Sequence, residues 1–201
     1  MATVDAVARR LLELAAPVRF DVVSNADELE AVYRLRYEVV VERGWAPPGD
    51  MPGGVERDRY DDIAVHIAAW DGGELAAAQR LVFPQDGLQL PTEEAFALTI
   101  EPRGRVVDVG RSAIAARYRG DSRHLLLTAI QGRSWLEWRS RGFQIAAGVL
   151  TEEVTQIYRD VGLEVEILGP ARDYWGDRRQ PARFDASAAA DRLRAIWGSS
   201  P

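Results

Sequence analysis

Residues 106–138 run strand, glycine loop, helix, and that succession constrains the fold more than any other part of the chain. The β-prone stretch Val106-Val107-Asp108-Val109-Gly110-Arg111-Ser112-Ala113-Ile114-Ala115-Ala116 leads into Arg117-Tyr118-Arg119-Gly120-Asp121-Ser122, and an apolar-periodic segment follows from Leu125. A glycine loop that opens a helix aims unpaired backbone N–H groups at one point, a geometry that holds a phosphate. Asp108 and Arg111 interrupt an otherwise apolar strand and are therefore candidates for a buried polar site. Three residues apart on a regular strand, they face opposite sides unless a bulge intervenes.

The rest of the chain alternates in the same way. A helix at about residues 5–14 precedes a strand at 19–23, and Ser24-Asn25 cap a helix over about 26–41 with Asp27 and Glu28 in its first turn. Residues 44–62 form a long loop rich in Pro and Gly, of the kind that is functional or mobile. Strands at 63–70 and 74–83 flank the turn Asp71-Gly72-Gly73 and read as a hairpin. A loop over 84–91 and a short helix from 92 lead to a strand at 105–116 and a helix over about 122–140, which Gly142 ends. A strand at 143–150, a helix over 151–161, a strand at 163–168, an irregular strand pair over 173–184 and a helix over about 187–197 complete the order. The pattern predicts a mixed α/β fold with an antiparallel start and a parallel centre.

Composition bounds the chemistry. The 201 residues, 47% of them hydrophobic, fit one domain spanning 1–201 that buries about 70% of its unfolded surface. The absence of cysteine excludes disulfides, thiolate metal sites and cysteine nucleophiles, and two histidines are a poor basis for a metal centre. His66 reads as a hydrogen-bonded core or edge residue, His124 as a neutral polar residue in a first helical turn, and Trp135 with Trp138 as one core-facing helix stripe. Nothing resembles a secretory signal or a membrane span, so a cytoplasmic protein is expected. A net charge of −6 argues against non-specific nucleic-acid binding. Every basic residue is arginine, and a late group comprising Arg117, Arg119, Arg139, Arg141, Arg172, Arg178, Arg179 and Arg183, with Arg123, offers an acidic partner a local basic face.

The order of elements and the segment Arg117-Tyr118-Arg119-Gly120-Asp121-Ser122 resemble the GNAT acyltransferase superfamily, whose phosphate loop reads Arg/Gln-x-x-Gly-x-Gly/Ala. Tyr158-Arg159-Asp160-Val161-Gly162-Leu163 is a second GNAT-like cue. Four blocks in order resemble acyl-homoserine lactone synthases and their relatives, the long-chain N-acyl amino acid synthases. These are the stretch from Leu35 to Trp45, the acidic loop Glu56-Arg57-Asp58-Arg59-Tyr60-Asp61, the strand Ala78-Gln79-Arg80-Leu81-Val82, and Asp108-Val109-Gly110-Arg111-Ser112-Ala113-Ile114. Relative to the lactone synthases, Val40 stands for Phe, Asp108 for Glu, Gly110 for Ser and Ser112 for Phe. The segments 80–84, 90–93 and 168–179 look more like the amino acid synthases.

The resemblance implies a GNAT-like three-layer sandwich with a mixed, V-shaped central sheet. It also implies transfer of an acyl group from a phosphopantetheine thioester to an amine. The thioester, on acyl carrier protein or coenzyme A, is a co-substrate; neither a metal nor a tightly bound cofactor is implied. The acceptor is S-adenosylmethionine, a free amino acid or another amine. Such an enzyme aligns the amine, removes its proton and stabilises an oxyanion. By resemblance Asp108 accepts the amine proton, with a buried ion pair to Arg80 or Arg111 as its other reading. Tyr158 protonates the leaving thiolate or merely packs. Arg36 orders the loop, Asp58 and Asp61 hold the ammonium group, and Arg80 is a further substrate-binding residue. Trp45 closes the pocket as a lid or anchors its own loop. Backbone N–H groups near Val109 to Ser112 serve the oxyanion, with Gly110 marking a bulge beside the substrate, or Gly110 lets a helix pack close. Arg117, Arg119, Gly120 and Ser122 cradle the phosphate. Two other readings keep the fold: an enzyme turned to a biosynthetic tailoring step, and a non-catalytic regulator that binds a ligand or protein.

Overall fold

The computed structural model describes residues 2–120 and 123–198. Among these the chain forms α1 (Ala2–Leu14), β1 (Arg19–Val22), α2 (Ala26–Glu42), β2 (Val65–Asp71), β3 (Glu74–Val82), α3 (Pro91–Phe96) and β4 (Val106–Ile114). There follow α4 (Arg123–Ser140), β5 (Ile145–Leu150), α5 (Glu152–Asp160), β6 (Val165–Ile167), β7 (Arg172–Tyr174), β8 (Asp177–Asp185) and α6 (Ala186–Trp197). The long loop after α2 carries three short 3-10 turns, at Pro48–Asp50, Pro52–Gly54 and Asp61–Ile63.

Local chemistry accounts for these elements. Asn25 caps α2 by accepting from the Glu28 backbone N–H at 2.9 Å, and the Glu28 carboxylate accepts from the Ser24 N–H in return. In α1 the buried residues are Val4, Val7, Ala8 and Leu11, the spacing of one helical face. Thr151 caps α5, and Gly142 follows α4 with φ +86°. Gly72 supplies the positive φ that the β2–β3 hairpin needs.

The strands make one path, β1-β2-β3-β4-β5-β8-β6, with β7 paired to β8. The expected parallel centre is a single pair, β4 with β5; every other pairing is antiparallel. Helices α1, α4 and α6 cover one face, where Trp135 and Trp138 pack edge to face inside the main core. Helix α2 covers the other face beside β2 and β3, and Leu90, just before α3, packs near the base of β4 and β5.

Two irregularities in β4 shape everything that follows. Its pairing with β5 lasts only from Val106↔Ile145 to Asp108↔Ala147, after which the strands part. A Cβ placed on Gly148, the next residue of β5, would lie 2.5 Å from the Val109 carbonyl oxygen. That oxygen belongs to backbone and cannot swing away, so Gly148→Ala is expected to cost about 1–3 kcal/mol by overpacking. A lowered urea midpoint with unchanged slope checks it.

The second irregularity is a bulge. Ala78 pairs with Ala113 but Arg80 with Gly110, so Arg111 and Ser112 together oppose Gln79. Arg111 takes the left-handed φ of +51°. The extra residue reverses the alternation of faces: Val107 and Val109 point into the core with α4 before it, Ile114 after it. Gly110 itself has an ordinary φ, and a Cβ there would meet only Asp108 Oδ1 at 3.8 Å. The expected bulge is present, with its positive φ one residue after Gly110, and among the described residues no helix presses on Gly110.

Candidate active site

Where β4 and β5 part, a cleft of about 230 Å³ runs through the sheet. Its wall carries Asp108, Gly110, Arg111 and Ser112 from β4, Leu150 from β5 and Tyr158 from α5. The bulge brings Asp108 and Arg111 to the same cleft.

Arg111 belongs to a closed ring of ion pairs. Arg36, from the buried face of α2, donates to Asp61 through Nη1 at 2.7 Å and Nη2 at 3.1 Å, and also bonds Glu56. Glu56 Oε1 accepts from Arg111 Nε at 3.0 Å. Arg111 Nη2 reaches Asp58 Oδ2 at 2.9 Å. Arg80 Nη1 donates to Asp58 Oδ1 at 2.7 Å and to Asp61 Oδ1 at 3.2 Å, which closes the ring. Three guanidinium groups thus alternate with three carboxylates, and the formal charge sums to zero. The desolvation cost of so many buried charges consumes most of the Coulombic gain. What the ring secures is position: it ties the loop carrying Glu56, Asp58 and Asp61 to α2, β3 and the bulge.

This corrects the expected use of the acidic loop. The Asp61 side chain has 0% exposure, and Oδ2 also accepts from the Asp58 N–H at 2.7 Å. Burial by itself raises the Asp61 pKa, but hydrogen bonds from Arg36 and the charges of Arg36 and Arg80 hold it down at about 2. It has no free face for a substrate ammonium group. Asp58 keeps 29% side-chain exposure, yet both its oxygens are already bonded to arginines. Glu56, which the sequence reading did not single out, is as deeply placed as Asp61. His66 stands opposite Arg80 on β2 with Nε2 at 3.6 Å from Asp61 Oδ1. Among the described residues neither ring nitrogen has a hydrogen-bond partner, unlike the expected hydrogen-bonded histidine. Burial, against the pull of Asp61 and with the help of Arg36 and Arg80, brings its pKa down to about 4 and keeps it neutral.

Asp108 stands apart from the ring. It is 3% exposed, and Oδ2 accepts from the Thr92 backbone N–H at 2.8 Å. No arginine bonds it, so the expected alternative of an ion pair with Arg80 or Arg111 is not realised among the described residues. Burial pushes its pKa up to about 6, and Thr92, Arg80 and Arg111 together oppose only part of that rise. A carboxylate poised there takes up and releases protons near neutral pH.

Tyr158 lines the same cleft from α5 and donates to Gln131 Oε1 at 3.3 Å. Burial pushes its phenol well above the ordinary range, so it stays protonated. Trp45 also lines the cleft. Arg179 stacks on its ring at 4.4 Å, and a Cβ on Gly176, at φ +61°, would strike it at 2.8 Å. These contacts anchor Trp45, and Trp175 stacks on Arg111 at 4.3 Å.

The expected phosphate cradle is only partly assembled. Arg119 lines the cleft, but its Nε donates to the Ile114 carbonyl at 2.8 Å and its Nη1 to Glu42 at 2.7 Å. Arg117 pairs with Glu74 and, like the exposed Gly120, stands outside the cleft wall. Ser122 lies outside the described residues. Most of the late arginines are occupied locally: Arg139 by Asp5, Arg141 by Glu137 and Arg183 by Glu166. That pairing shrinks the expected basic face. Among the described residues no helix is long and apolar enough to cross a membrane.

Residues 35–129 match the model of the Acetyltransferase (GNAT) domain. The crystal structure of the AHL synthase LasI superposes with a TM-score of 0.71 at 20% identity, covering 90% of this chain and 94% of that one. The CoA-dependent acyl-homoserine lactone synthase BjaI, solved with SAM and isopentyl-CoA, gives 0.67 at 21% identity, over 87% and 84%. FeeM, an N-acyl amino acid synthase from uncultured soil microbes, gives 0.70 at 10% identity, over 91% and 98%. No curated protein matches the chain. At these identities the likeness establishes the GNAT fold, including the open sheet with its one parallel pair.

Proposed function

We propose that this GNAT-fold chain is an N-acyltransferase that moves an acyl group from a phosphopantetheine thioester to an amine. The observation that carries the reading is the cleft opened by the parting of β4 and β5, with Asp108 buried in its wall beside a bulge. A thioester is already activated, so the protein has to align, deprotonate and stabilise rather than supply a cofactor's chemistry. Asp108 Oδ2 is held by Thr92, which leaves Oδ1 to take the amine proton. The amine nitrogen then attacks the carbonyl carbon, the carbon–oxygen π pair moves to oxygen, and the carbonyl re-forms as the carbon–sulfur bond breaks. The sulfur leaves with the bonding pair and takes up a proton. Tyr158 stays neutral in the wall and has an O–H to offer, once it turns from Gln131.

The donor is a coenzyme A or carrier-protein thioester. The co-crystallised isopentyl-CoA of BjaI supports that class, and the likeness to FeeM supports an amide product. Acyl-CoA and acyl-carrier thioesters, each supplied with a panel of amines including SAM and free amino acids, are expected to release thiol with at least one pair. Absence of thiol release with every pair, together with absence of binding by pantetheine donors, overturns the reading.

A further inference from the structure

On the α4 side of the bulge lies a buried polar chain of which the reaction as described uses only Tyr158. Gln79 is 1% exposed, and its Nε2 donates to Ser112 Oγ at 2.8 Å and to Gln131 Oε1 at 3.2 Å. Its Oε1 accepts from the hydroxyl of the fully buried Ser134, while Tyr158 donates to the same Gln131 oxygen. Following the protons gives a definite result. Both hydrogens of the Gln79 amide are committed, the Ser134 and Tyr158 hydroxyls donate inward, and Ser112 Oγ acts only as an acceptor. Among the described residues nothing accepts the Ser112 proton. Ser112 is exposed and lines the cleft, so the chain leaves one oriented O–H facing the substrate space.

We propose that Ser112 is a catalytic residue that donates this hydrogen bond to the acyl oxygen as it becomes an oxyanion, with Gln79 as its positioning residue. The inference rests on the acyl-transfer reading above. The bulge makes the placement possible. Without the extra residue Ser112 would share the face of Asp108; with it, Asp108 and Ser112 address the cleft from opposite faces of β4. In the transfer step the amine proton passes to Asp108, the carbon–nitrogen bond forms, and the carbonyl π pair collects on oxygen. Ser112 keeps its own proton throughout and strengthens its hydrogen bond as charge develops. A donor that Gln79 has already oriented need not reorganise at that moment.

The test is steady-state kinetics with one thioester–amine pair that the wild type turns over. Ser112→Ala is expected to lower kcat by about 10²-fold with KM little changed. Ser112→Thr, which keeps the hydroxyl, restores most of the rate, and Gln79→Met gives an intermediate loss by freeing that hydroxyl to rotate. The acidic limb of the Ser112→Ala pH profile stays as in the wild type; its urea midpoint falls because the buried Gln79 amide loses an acceptor, and Gln79→Met separates the two effects, since it removes that stranded donor and still lowers kcat. An alanine variant with wild-type kcat, or one impaired in KM alone, overturns the assignment and leaves acyl transfer standing. A wild type that releases no thiol with any pair overturns both.

Discussion

Asp108→Asn is expected to remove most of the turnover and, above pH 6, to make the protein harder to unfold. Loss of a positioned general base lowers kcat by about 10²- to 10⁴-fold. The wild-type rate climbs as Asp108 ionises, so kcat/KM should show an acidic limb centred near its raised pKa of about 6. The variant should lack that limb. The stability effect has the opposite sign. Asp108 titrates near 3.8 when unfolded and at about 6 when folded, so between those values the folded state holds the proton more tightly. Stability therefore falls as pH rises from about 4 through about 6, and the cost persists at higher pH. The shift corresponds to at most about 3 kcal/mol. Asparagine carries no charge, and its side-chain oxygen can still accept from the Thr92 N–H, so the variant should gain about 1–3 kcal/mol at pH 7.5 and nothing at pH 4. Urea titrations at both values, beside thiol release from pH 5 to 9, check the two halves. A variant that keeps the acidic limb sinks the base assignment, and one no more stable at pH 7.5 sinks the burial argument.

A carboxylate that costs folding stability is out of place in an apolar strand, which is why charge there is a useful sign of a candidate site. Asp108 and Arg111 were legible because the residues around them are valines and small apolar groups. Arg36 was legible by resemblance, and its spacing agrees, since it falls on the face of α2 that also carries Val32, Leu35, Val39 and Val40. Element order was legible throughout, because periodicity and caps are local properties. The bulge was anticipated but misplaced: glycine is the residue that usually takes a positive φ, and here Arg111 takes it while held by Glu56 and Asp58. Glu56 escaped notice because a loop has no period to mark which of its charges points inward. Gln79 adjoins Arg80 in an alanine-rich strand, and that polar pair was the available signal for a second buried network. Parting of β4 from β5 left no mark that local reading detects, since it depends on how two distant segments pair. Arg119 illustrates the converse: a motif position suited to phosphate is here occupied by Glu42 and a backbone carbonyl.

The ring of ion pairs gives the second large effect. Arg36→Leu removes the cation that bonds both Glu56 and Asp61, and leaves two buried carboxylates with less compensation than they have charge. Breaking such a pair from one side costs about 3–5 kcal/mol, a large fraction of the stability of an ordinary domain. The pH dependence identifies the cause. In the wild type Asp61 is held at about 2, so its contribution is present above its ordinary value of 3.8 and lost as pH falls toward 2. Without Arg36 the burial that already opposes ionisation dominates, the Asp61 pKa rises above 3.8, and protonation relieves the variant as the pH is lowered. The deficit measured by urea unfolding should therefore be widest near pH 7.5 and narrow toward pH 4.5. Pairing the change with Asp61→Asn removes one stranded charge and should recover about 1–3 kcal/mol relative to the sum of the single losses. If the deficit is independent of pH and the two changes simply add, the lost stability comes from the packing of the arginine stem within α2. The loop from Glu56 to Asp61 would then be held by something other than its charges.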